Sequence, residues 1–192
     1  MQKFYFNEKI KITALIGQLN AATEKFSAKD YHADTLLMQL LSDAINTYRD
    51  LGYSERESQL QVLRAEFVTA QRGVNPISFE KQSIRRHEMT NTISFKILQA
   101  IEGLLRSDLE EKNARLQQAS DLVAQIIIAS MQAGILKNDE IKKIKNQQDL
   151  ESIWSAIGAD ANIDLGQKRV LLLINKYDAL ILFDDLLAPF KT

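Results

Sequence analysis

Between Ser78 and Ala133 the chain carries no proline and a single glycine, Gly103. Nothing in this stretch forces the backbone out of a helix. Its apolar residues recur at helical spacing through Leu98, Ile101, Leu105, Leu109, Leu116, Ala119, Val123 and Ile126, with one skip around Leu105. Read as one helix, the stretch has about 55 residues and a length of roughly 80 Å, and it needs a partner helix along much of that length. Read as a hairpin, it turns near Ser107-Asp108, where Ser107 and Glu110 match a capping box. Helices of such length are rare in compact domains, so the sequence favours a break or kink at Ser107.

The rest of the chain is punctuated by its few glycines. Average usage would place roughly 13 Gly and 10 Pro in a chain of this length; there are 7 and 2. That scarcity excludes turn-rich all-β folds and Gly/Pro-rich disorder. Gly52, Gly73, Gly134, Gly158 and Gly166 fall where the apolar periodicity stops.

A first helix is expected from Asn7 to Phe26, with Ile12, Leu15, Ile16, Leu19, Ala22 and Phe26 on one stripe. A second, capped by Asp30 or Asp34, runs to Leu51. A third starts at Ser54, which forms a capping box with Glu57, and closes at Gly73. Two short helices are expected at Asn138 to Lys145 and Asp149 to Ile157, then a loop from Gly158 to Gly166. Asp164 caps a final helix reaching Ala188, before Pro189. The expected fold is all-α, an antiparallel bundle of seven to eight helices with a long or kinked central region. It forms a single domain over 1–192, with 1–73 and 77–192 as candidate subdomains hinged at the turn from Gly73 to Ile77.

The reactive chemistries that need particular residues find little support. The absence of Cys excludes disulfides, thiolate catalysis and Cys-based metal sites. His32 and His87 have no Glu or His at the spacing that builds helix metal sites. No glycine-rich phosphate loop and no Gly-x-Ser-x-Gly elbow is present. No catalytic residue, metal ligand or cofactor is therefore assigned.

Asn175, Asp178 and Asp185 share a stripe on the apolar C-terminal helix, read either as its solvent strip or as a buried polar network or cation site. Aspartate-rich helical hydrolases place such acids on two facing helices, and no second cluster matches here. A metal-dependent hydrolase is accordingly the least favoured function.

Charge argues against nucleic acid. The net charge is +2 over 1–96 and −3 over 97–192, although Lys81, Arg85 and Arg86 form a local basic patch. The N-terminus lacks the apolar core of a secretory signal. Lys176, Asp178, Asp184 and Asp185 interrupt the only stretch long enough to span a bilayer. The sequence points to a cytoplasmic protein without a membrane partner.

What remains is apolar surface. The final helix is apolar almost all round, so it lies at the centre of a bundle or forms half of an interface. Leu172, Tyr177, Ile181 and Phe183 are the candidate contact residues, toward another protein or a second copy. The expected function is non-enzymatic protein–protein interaction, as an adaptor, regulator, chaperone or neutralising partner. The alternative is a helical transcriptional or ligand-binding regulator.

Overall fold

The computed structural model describes residues 3–81 and 86–191. Among the described residues the fold is all-α, with eight α-helices and no strand. They are α1 (Tyr5–Ser27), α2 (Ala33–Asp50), α3 (Ser54–Gln71), α4 (Arg86–Gln132), α5 (Asn138–Ile141), α6 (Gln147–Ile157), α7 (Ala161–Leu173) and α8 (Lys176–Leu187). A 3-10 turn, Ala188–Phe190, follows α8. No described helix is long and apolar enough to cross a membrane.

Contacts divide the chain into two compact units. One is Lys9–Glu110; the other joins the segment ending at Glu8 to the chain from Glu111 onward. The division falls inside α1 and α4.

In the first unit, one apolar core is built from the stripes of four helical segments. Ile12, Leu15 and Leu19 of α1 meet Leu37, Leu41 and Ile45 of α2, Leu60 and Phe67 of α3, and Ile97, Ile101 and Leu105 of α4. The α2–α3 hairpin turns at Gly52, whose φ of +76° suits a residue without Cβ. The Tyr53 N–H then closes on the Tyr48 carbonyl at 2.9 Å. The capping box expected at Ser54 does not form: Tyr53 takes the N-cap position and Ser54 is the first helical residue. Glu57 instead accepts from Arg49 and Gln61, each at 2.9 Å. At α2 the N-cap is His32; Asp30 accepts its N–H at 2.9 Å from two residues upstream.

The expected break at Ser107-Asp108 is absent, and α4 runs unbroken for 47 residues. Its inward positions pass from Leu105 through Asp108 and Lys112 to Leu116, so two charged residues lie buried where the sequence shows a skip.

In the second unit, the later part of α4 packs with α6, α7 and α8 around Val123, Trp154, Val170 and Phe183. The Trp154 and Phe183 rings meet edge to face, 5.1 Å between centroids. The expected single C-terminal helix is two. Asp160, not Asp164, caps α7 by accepting from Asn162 and Ile163. Ile174 then turns extended, with φ −137° and ψ 166°. Asn175 restarts the helix by accepting the N–H groups of Tyr177 at 2.7 Å and Asp178 at 3.0 Å.

Candidate functional site

The α7–α8 break sets which side chains of the apolar C-terminal run face outward. Leu172, in the last turn of α7, is 84% exposed, and Leu171, Tyr177 and Ile181 are exposed as well. Tyr177 and Ile181 are four residues apart on α8 and share one face. Phe4 joins them, its ring centroid 6.0 Å from that of Tyr177. Phe183 does not belong to this face. It is 0% exposed, held against Trp154, so its place among the candidate contact residues is corrected to the core. Three of the four sequence candidates are thus brought to the surface and one is not.

Behind this face lies a polar network that the sequence offered as one of two readings of the acidic stripe. Asp178 is buried, and its carboxylate accepts the Tyr5 N–H at 2.7 Å, the Phe6 N–H at 3.4 Å and the Asn175 amide at 2.5 Å. The Asn175 amide also donates to the Lys3 carbonyl at 2.6 Å. The pair therefore holds the start of α1, satisfying backbone donors that a helix N-terminus leaves open. Burial pushes the Asp178 carboxyl above the usual aspartate range, against the pull of the Tyr5 and Phe6 amides and of Asn175. Asp185 is exposed and takes no part.

Next to this network Glu8 and Lys112 are both buried, 3.8 Å apart. The Lys112 ammonium and the Arg115 guanidinium lie 6.0 and 5.6 Å from the Tyr5 ring centroid, within or near cation–π range. Lys112 and Arg115 also pair with Glu111, at 3.6 and 3.2 Å. No group of three or more His, Cys, Asp or Glu able to hold a metal occurs among the described residues.

Lys81, Arg86 and the two histidines lie in the first unit. Lys81 is exposed; Arg85 lies outside the described residues, and of Arg86 only its place at the start of α4 is described. The two histidines are both exposed and on separate elements. Sequence reasoning missed a cavity of about 560 Å³ at the α1–α2 turn, lined by Phe26, Tyr31, Asp34, His87 and others. Its lining comes from two stretches of chain, 26–34 and 87–91, far apart in sequence, so no local spacing could have signalled it. Comparison with protein-family models, curated proteins and solved structures returns no match.

Proposed function

We propose that this chain works by binding another protein, without chemistry of its own, and that the α7–α8 face is the contact. The observation that carries the reading is Leu172, 84% exposed, with Leu171, Tyr177 and Ile181 also exposed along the same short stretch of chain. Single exposed apolar residues are ordinary; four on either side of one helix junction, with the Phe4 ring against Tyr177, are the kind of exposure that recognition uses. An aromatic ring flanked by aliphatic side chains also suits the centre of an interface. Adaptor, regulator, chaperone and neutralising roles all use such a surface, and the composition fits a cytoplasmic setting.

The test is a pull-down from the native source with the wild type and with Leu172→Glu/Ile181→Glu. Both positions are exposed, so the double variant keeps its helical circular dichroism. A partner retained by the wild type and lost by the variant supports the reading. Identical captured proteins sink it.

The cavity at the α1–α2 turn favours a second reading, a ligand-binding regulator, because its volume lies within the range of small-molecule sites. A thermal-shift screen of small metabolites separates the two, since protein recognition at α7–α8 gives no response there.

A further inference from the structure

The segment from Gly73 to Lys81 is built more tightly than a linker. Val74 and Lys81 pair as an isolated antiparallel bridge, and the Asn75 N–H donates to the Glu80 carbonyl at 2.9 Å. Inside that closure, Asn75 Oδ1 accepts the N–H groups of Ile77 at 2.9 Å and Ser78 at 3.3 Å. The Phe79 N–H donates to the Asn75 carbonyl at 2.8 Å. Phe79 itself sits at φ +58°, a left-handed conformation that a bulky side chain enters only with strain. The tip so formed holds Ile77 73% and Phe79 77% exposed. A hydrogen-bonded, strained turn thus keeps two large apolar side chains in water, against the main driving force of folding.

The same unit contains a place that fits them. The Arg56–Asp108 ion pair at 2.8 Å and the Lys96–Glu66 pair at 3.2 Å both join α3 to α4. Between them runs a groove of about 610 Å³, lined by Val62, Leu63, Ala100, Gly103 and Leu104. Its remaining lining is Arg56 and the neutral Gln59, Gln99 and Ser107. The charges that bracket the groove are already paired within the chain, so it calls for an uncharged, apolar occupant. Val62 is exposed, so this copy leaves the groove open. A Cβ placed on Gly103 would meet nothing within 4 Å. Internal packing does not need the bare backbone there, and its effect is to deepen the groove floor. Ile77-Ser78-Phe79 is an uncharged tripeptide with an apolar side chain at each end.

We propose that the Ile77–Phe79 tip of one copy docks into the α3–α4 groove of a second copy, so that the chain self-associates through its first unit. A bilayer is the other surface that takes up exposed phenylalanine, but stable anchoring requires more than even a single acyl chain. A bilayer also has no use for a tip fixed by four backbone-directed hydrogen bonds. The contact is separate from the α7–α8 face and does not depend on it.

The chain has no cysteine of its own, which makes cross-linking clean. Full-length Ser78→Cys and Gln99→Cys proteins, exposed at the tip and at the groove, are mixed and oxidised. Disulfide-linked pairs of unlike copies in excess over like pairs are expected, with a light-scattering mass for the wild type that rises with concentration. Ile77→Asp/Phe79→Asp removes the tip and Gly103→Leu fills the groove. Each change is at an exposed position, leaves circular dichroism unchanged and weakens self-association at least tenfold.

A monomer at every concentration overturns the proposal. Association that survives both variants overturns it too, and its loss in Leu172→Glu/Ile181→Glu then assigns it to α7–α8. Sedimentation with phosphatidylserine vesicles that needs Phe79, without unlike disulfides, overturns it in favour of a membrane surface.

Discussion

The Tyr48 hydroxyl on α2 donates to Asp108 Oδ2 on α4 at 2.7 Å. The other carboxylate oxygen accepts from Arg56 Nη2 on α3 at 2.8 Å. One buried carboxylate thereby ties three helices together beside the α2–α3 turn. Burial, reinforced by the Asp108 charge, drives the Tyr48 hydroxyl far above the ordinary tyrosine range, so it stays protonated and remains a donor. The arrangement satisfies every charge and donor it buries, which is the condition for a polar group to sit in a core.

Asp108→Ala removes the acceptor shared by both donors. Tyr48 is fully buried and its hydroxyl then has no partner, whereas partly exposed Arg56 rehydrates. The expected loss is about 3 kcal/mol, close to the cost of stranding a buried donor beside a broken charge pair. Tyr48→Phe keeps the Arg56–Asp108 pair and costs about 1.5 kcal/mol. Denaturant unfolding monitored by circular dichroism measures both. A smaller loss for Asp108→Ala than for Tyr48→Phe contradicts this account.

The same aspartate explains why the sequence suggests a break in α4. Helical periodicity is read from apolar residues, and the inward row from Leu105 to Leu116 passes through Asp108 and Lys112. Their partners, Tyr48, Arg56 and Glu8, are distant in sequence, so nothing local marks these charges as buried. The helices α1 to α3 were legible because each pairs an unbroken stripe with a terminating feature. The α7–α8 break was hidden for the opposite reason. Apolar residues on every side give no phase, and Asn175 within such a run reads as part of a stripe until its cap geometry is seen. Exposure was unreadable there too, which is why Leu172 and Phe183 look alike in sequence and lie on opposite sides of the surface.

The burial of Asp178 has a pH signature. Its native-state pKa is raised above the ordinary value of 3.8, so the folded protein binds that proton more firmly than the unfolded chain does. Stability must then fall as pH rises from 3.8 through the raised value, and level off above it. Asp178→Asn serves as the reference that cannot titrate. The stability of the wild type minus that of Asp178→Asn is expected to decrease with rising pH across this window. An increase would mean that the Tyr5 and Phe6 amides outweigh desolvation.

Two glycines in or beside α4 should respond to alanine in opposite directions. At Gly103 an added methyl meets nothing within 4 Å, so helix propensity alone acts, and Gly103→Ala stabilises by about 0.5–1 kcal/mol. At Gly166 of α7 the new Cβ would lie 3.0 Å from Ile126 Cγ1 on α4. The Ile126 side chain is confined in a packed core, and overpacking there makes Gly166→Ala destabilising by about 1–2 kcal/mol. Thermal unfolding of the two variants decides the matter; a gain at Gly166 would show that the core yields at no cost.

Leu172 and Phe183 separate recognition from folding. Leu172 is 84% exposed, and Leu172→Lys removes an apolar contact without opening a cavity or burying a charge. Its unfolding free energy should stay within about 0.5 kcal/mol of wild type, as for surface changes generally. Phe183 is fully enclosed with its ring against Trp154. Phe183→Ala combines lost transfer energy with an unfilled cavity and should cost about 3–5 kcal/mol. If α7–α8 binds a partner, Leu172→Lys loses that partner at unchanged stability. Phe183→Ala loses it only in proportion to the unfolded fraction. A Leu172→Lys protein that is as stable as wild type and still captures the same partner would remove this face from consideration.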